Sequence, residues 1–166
     1  IMTNAVLSLR KEDAMPKTHQ HILVPVDFSH HASLALEAAV DLAHKYQADM
    51  TVVYVIPQAI FHPDWAADIE DAIDVSDIAE EAKTTLAKMI APYRKDGLTI
   101  TEHILTGGPH VEIVRMAERL GADLIVMGAH GAAGARPVLM GSVAEKVMRQ
   151  APCSVLTVRE PVASVA

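Results

Sequence analysis

Apolar residues along this chain fall into short unbroken runs, separated by stretches in which they recur every three or four positions. His21–Asp27 (HILVPVD), Met50–Ile56 (MTVVYVI) and Asp123–Gly128 (DLIVMG) are unbroken runs rich in β-branched residues. Such runs predict strands buried on both faces, as in a parallel sheet. LTITEHIL (98–105) alternates instead, and SVLTV (154–158) reads as a fifth short strand. Between the strands the period lengthens to that of a helix. Leu34, Ala35, Ala38, Leu42 and Tyr46 share one face behind a candidate cap at Ser29. Ile78, Ala82, Leu86, Met89 and Tyr93 do the same ahead of Lys95-Asp96-Gly97. Ile113, Ala117 and Leu120 lie between Pro109, suited to a first helical turn, and Gly121, a stop. A last helix is expected over 142–150.

Strand and helix alternate from end to end. That order implies right-handed crossovers and a five-stranded, open parallel sheet with helices on both faces. Ligands of such sheets sit beyond the carboxyl ends of the strands, where the strand order reverses. The candidate site is therefore built from Pro25, Val26 and Asp27 at the end of the first strand, Val55 in the second, and the segment after the fourth.

Composition narrows the possibilities. The 166 residues suit one domain, which buries about 70% of its unfolded surface without staples. The expected organisation is a tail at 1–19, one domain at 20–160 and a short tail at 161–166. One cysteine, Cys153, allows no internal disulfide and fits a reducing, cytoplasmic setting. A net charge of −7 argues against nucleic acid or anionic membrane as partner. No apolar run approaches the ~18–20 residues of a membrane span.

The most unusual stretch is MGAHGAAGARPVLMGS (127–142), which holds Gly128, Gly131, Gly134 and Gly141, half of the chain's 8 glycines. Packing alone does not ask for so bare a backbone there. A helix opening at Gly141-Ser142 would offer unpaired N–H groups and a partial positive charge, and glycines would let a phosphate come close. Several such bonds at about 1.5–3 kcal/mol each support micromolar affinity without a lysine. Two plainer readings stand beside this one. Ser142-Val143-Ala144-Glu145 is also a capping box, and the upstream glycines also suit a merely long loop. The Walker A pattern is absent, because no lysine follows Gly141, and no G-x-G-x-x-G follows the first strand, where the chain reads VDFSHHAS.

These residues resemble the universal stress proteins in their ATP-binding branch, whose pattern is G, two residues, G, nine residues, then G-[ST]. Gly128 and Gly131, followed after nine residues by Gly141-Ser142, match it in full. ILVPVDFS, VVYVIP, GGPHVEIV and APCSVLTV match the flanks, so the likeness spans about residues 20–160. It implies a Rossmann-like sheet of order 3-2-1-4-5 and ATP, or AMP or ADP, across the carboxyl edge. A divalent ion, Mg2+ or Mn2+, would enter through the phosphates. Asp27 would meet the ribose or adenine side, Val26 and Val55 would line the base, and Met127 would lie against it. Gly128, Gly131, Gly141, Ser142 and Val143 would hold ribose and phosphates, and Gly107 would border the ribose. Ala132-Ala133-Gly134-Ala135 is featureless where relatives often carry basic or hydroxyl residues, leaving Arg136 as the nearby cation. The likeness further implies a homodimer through Ser154–Val158, which would cover an open sheet edge, and an unknown regulatory partner.

Several residues have readings of more than one kind. Asp27 also suits a carboxylate that caps nearby N–H groups. His130 could touch phosphate or face solvent. His30-His31 diverge in direction as neighbours at a helix start, so no metal is expected. Cys153 reads as a buried apolar thiol. The acids from Asp64 to Glu81, with no Lys or Arg between Pro57 and Ala82, read as a solvated helix start, with Phe61 and Trp65 as anchors. A regulatory nucleotide-binding module is favoured over the rival, a slow ATPase or nucleotidyl-transfer enzyme. No P-loop lysine, arginine finger or clear general base is present, so at most weak hydrolysis is expected.

Overall fold

A computed structural model of the chain describes residues 20–58, 75–130 and 140–159. The expected tails, the acids from Asp64 to Asp74 with Phe61 and Trp65, and Gly131, Gly134 and Arg136 lie outside the described residues. The strands are β1 (His21–Val26), β2 (Asp49–Pro57), β3 (Ile100–Gly107), β4 (Leu124–Gly128) and β5 (Ser154–Val158). The helices between them are α1 (His30–Tyr46), α2 (Val75–Ile90), α3 (Pro109–Leu120) and α4 (Ser142–Gln150). All four ladders are parallel and the order is β3-β2-β1-β4-β5. This is the open α/β sheet expected.

Because successive side chains of a strand point to opposite faces, the central strands feed two cores. Ile22, Val24 and Val26 join Leu124 and Val126 under α1 and α2. Leu23, Val53, Val55, Ile125 and Met127 lie under α3 and α4. Being buried on both sides is what makes these strands read as unbroken apolar runs.

Three local expectations shift. The buried face of α1 is Ala32, Ala35, Leu36, Ala39, Val40 and Ala43; of the expected row only Ala35 lies on it, and Ala38, Leu42 and Tyr46 pack at its flank. Four alanines bring the helix down onto the sheet, and the larger side chains are then pushed to the margins. Helix α2 ends at Ile90 and a separate 3-10 turn holds Tyr93–Asp96. Pro92 lacks the N–H that would continue the helix. β3 starts and ends later than LTITEHIL because it follows β2 in register through Pro57↔Gly107.

One feature of β1 positions the site. Pro25, in a central strand, has no N–H to give a ladder. β1 stays in register with β4 only through Ile22↔Leu124 and Leu23↔Ile125. Beyond that point β4 continues against β5 to Gly128↔Val158, while β1 continues against β2 to Val26↔Tyr54. The sheet therefore splits between β1 and β4 toward its carboxyl edge.

Candidate functional site

The split lies at the reversal of strand order, where an α/β sheet opens a crevice. Its β1 side ends in a tight turn. Asp27 Oδ1 accepts a hydrogen bond from the Ser29 N–H at 3.1 Å. Phe28 takes a left-handed backbone, φ 62°, and its ring packs on Tyr54 with centroids 4.4 Å apart. Ser29 then caps α1, accepting from the Ala32 N–H at 3.2 Å. The hydroxyl pKa of Tyr54 is raised, first by burial and then by the charge on Asp27. Asp27 thus does what its plainer reading asks, as an acceptor for a local N–H.

On the β4 side the chain is drawn back on itself. The Ala129 N–H donates to the Val158 carbonyl at 2.7 Å, and the Gly141 N–H donates to the Ala129 carbonyl at 2.8 Å. The two ends of the glycine segment are thereby clasped at the mouth of the crevice. Gly141 is the N-cap of α4 and has no side chain to offer, so Ser142 is the first helical residue. The expected capping box does not form. Ser142 sits one position too late to cap, and Glu145 pairs down the helix with Arg149 at 3.0 Å. Among the described residues no side chain caps the N-terminus of α4, which keeps its partial positive charge.

Two of the candidate glycines also have a packing or backbone cause. A Cβ on Gly128 would stand 3.0 Å from His31 Cβ and 3.1 Å from the His31 carbonyl carbon, so packing against α1 does ask for a bare residue there. Gly107 has φ 153°, and a Cβ on it would meet Glu112 Cγ at 2.9 Å.

The side chains of Val55 and Met127 join one cluster with Val143 packed against it, whereas Val26 belongs to the cluster on the opposite face. Pro25 is buried, and Ser142 is exposed at the start of α4. His130 turns toward α1, its ring centroid 5.3 Å from that of His31. Its Nε2 is buried and makes no hydrogen bond among the described residues. Among the described residues, no group of three or more His, Cys, Asp or Glu side chains is placed to hold a metal ion. Cys153 is half-buried rather than buried, and burial, then the charge on Asp123, pushes its thiol pKa up. No helix among the described residues is long and apolar enough to cross a membrane.

Phe28 and Tyr54 went unnoticed in the sequence, and His31 was weighed there only as half of a metal pair, not as the residue that packs on Gly128. A left-handed phenylalanine has no signature there, because the turn's usual marker is glycine. Pro25 did carry a signal, a proline inside a central strand.

This geometry defines a class: a doubly wound α/β domain with a crevice at its switch point and, at the rim, a helix N-terminus that opens on a glycine. Comparison with known proteins narrows it. The Universal stress protein family matches residues 18–159. A universal stress protein of Methanocaldococcus jannaschii is 34% identical over 143 residues, covering 86% of this chain and 84% of that protein. The solved UspA of Lactobacillus plantarum has a TM-score of 0.74 and 29% identity, covering 87% of this chain and 100% of its own. The universal stress protein of Archaeoglobus fulgidus, solved in complex with dAMP, has a TM-score of 0.62 and 28% identity, covering 86% of this chain and 99% of its own. The chain belongs to the universal stress protein family.

Proposed function

We propose that this chain is an adenine-nucleotide-binding regulatory module, taking ATP, ADP or AMP across the split between β1 and β4. The observation that carries the reading is the N-terminus of α4, clasped to Ala129 at the rim of that split and capped by no side chain among the described residues. Such a terminus suits phosphate oxygens. The dAMP bound by the Archaeoglobus fulgidus relative supports an adenine nucleotide as the ligand class.

The residues fit that ligand. The N–H groups at Ser142 and Val143 would take phosphate oxygens, together with Gly131 and Arg136 from the sequence motif. Val55 and Met127 offer apolar surface to the base, Val26 and Pro25 border it through their main chain, and Asp27 faces the ribose. Gly107 and Gly128 shape the walls, and His130 closes the α1 side. Mg2+ or Mn2+ would be carried by the phosphates. The protein acts in the cytoplasm as a homodimer. Among the described residues β5 pairs only with β4 and Leu156 on it is 40% exposed, which supports dimerisation through that strand.

Nucleotide released on denaturing the purified protein, identified by mass, is the decisive measurement. Adenine nucleotide at near one per chain, or micromolar ATP affinity by calorimetry after stripping, is expected. An empty protein with no measurable affinity would overturn the reading. Light scattering at micromolar protein should give a dimer, and Thr157→Pro in β5 a monomer that still binds ATP.

A further inference from the structure

The turn that ends β1 is built at a cost in backbone freedom. Glycine adopts a left-handed conformation freely, and a bulky residue does so rarely. Here the position is held by Phe28, φ 62°. Its ring centroid lies 4.4 Å from that of Tyr54, with the planes tilted by 35°, at the short end of the separations at which aromatic rings attract one another. Tyr54 stands on β2 directly beside Val26 of β1, one residue before Asp27. On the other side of Phe28, the Ser29 N–H is bound to Asp27 Oδ1 at 3.1 Å. The left-handed residue is thus fastened on both sides of its peptide, by the ring stack and by the carboxylate. Outliers of this kind persist where surrounding structure over-determines them, and they cluster at ligand clamps. The hydroxyl of Tyr54 feels the charge of Asp27, which puts the two side chains within electrostatic reach.

We propose that Phe28 and Tyr54 are positioning residues: their stacked rings hold the Asp27 turn, and through Asp27 they set the preference of the site for ribose over a sugar without hydroxyls. The inference rests on the nucleotide reading and deepens it. The rings touch no nucleotide. They act by keeping one carboxylate in one place, so that the sugar hydroxyls meet an acceptor already oriented. A ring lost from the stack leaves the base and phosphate contacts intact and removes only the discrimination.

The test compares ATP with 2′,3′-dideoxy-ATP by calorimetry in wild type, Tyr54→Ala, Phe28→Gly and Tyr54→Phe. Wild type should favour ATP by about tenfold or more, the size of a hydrogen bond to a charged acceptor. Tyr54→Ala and Phe28→Gly should bring the ratio near one while dideoxy-ATP affinity stays within about twofold. Tyr54→Phe, which keeps the ring, should restore the wild-type ratio. A general loosening would lower both affinities together and leave the ratio standing, and that result overturns the proposal. So does a wild type that binds both nucleotides equally.

Amide hydrogen exchange of Ser29, referred to the core amide of Val53, reads the turn without any nucleotide. It should speed up at least tenfold in Tyr54→Ala and Phe28→Gly but not in Tyr54→Phe. Unchanged Ser29 protection overturns the positioning role whatever the nucleotide does. A wild type that binds neither nucleotide overturns the selectivity claim and the nucleotide reading together, while exchange still decides whether the rings hold the turn.

Discussion

Helices α1 and α4 both begin at the carboxyl edge of the sheet, beside the same crevice, and they begin in opposite ways. α1 is closed by its own chain: Ser29 caps it at 3.2 Å and Asp27 takes the next free N–H at 3.1 Å. α4 starts at Gly141, which contributes no side chain, and its first-turn acid Glu145 is engaged with Arg149. The same orphan N–H groups arise at every helix start. Where the chain satisfies them itself, the terminus is structural. At α4 the Gly141 N–H goes to the Ala129 carbonyl, and no side chain among the described residues caps the amides that follow, so those are available to an anion at the crevice. The difference separates the framework of the site from its receiving end, and it can be attacked from either side.

The largest effect is expected from Gly128→Val, which drives a side chain into the backbone of α1 at His31. Overpacking of this kind should cost about 2–3 kcal/mol in denaturant unfolding. An unchanged midpoint would mean that α1 is not seated as closely as its capped start implies. Next comes Gly141→Asp, which gives α4 the kind of cap that α1 has. Stability should rise by a few tenths of a kcal/mol, while ATP affinity should fall by about tenfold or more as the carboxylate occupies the amides. Retained affinity would show that the α4 terminus does not receive phosphate. Ser29→Ala, the converse change at α1, should cost about 1 kcal/mol of stability and move ATP affinity less than about twofold. The smallest effect belongs to Arg149→Ala. Its partnership with Glu145 is exposed, at 75% and 55% of the two side chains, and should be worth no more than about 0.5 kcal/mol. A larger loss would mean that Glu145 is held away from the α4 terminus by more than a surface pair.

The elements were legible because each kind of burial writes its own period. Strands covered on both faces become runs such as ILVPV, and helices covered on one face become three-four repeats. The strand order was not legible from that pattern. It came with the resemblance carried by Gly128, Gly131 and Gly141-Ser142. At the site, the sequence presents Ser142 and Glu145 as a capping box, and only the helix start at Ser142 shows that the serine is one residue out of place. Gly128 reads equally well as a ligand-approach glycine, and only the position of His31 reveals the packing cause. Phe28 gave no hint, since a left-handed backbone at a bulky residue follows from contacts made elsewhere, here with Tyr54 on a neighbouring strand.

By itself, then, the amino-acid order determined which segments are strands and helices, that the sheet is parallel, and which family pattern the last loop carries. These depend on local periodicity and on spacing along the chain. Tertiary structure decided where β1 parts from β4, which glycines are there for packing, and that α4 starts at Gly141 rather than at a capping serine. Those outcomes depend on distances between residues far apart in sequence, such as Gly128 and His31 or Phe28 and Tyr54, and no local pattern records them.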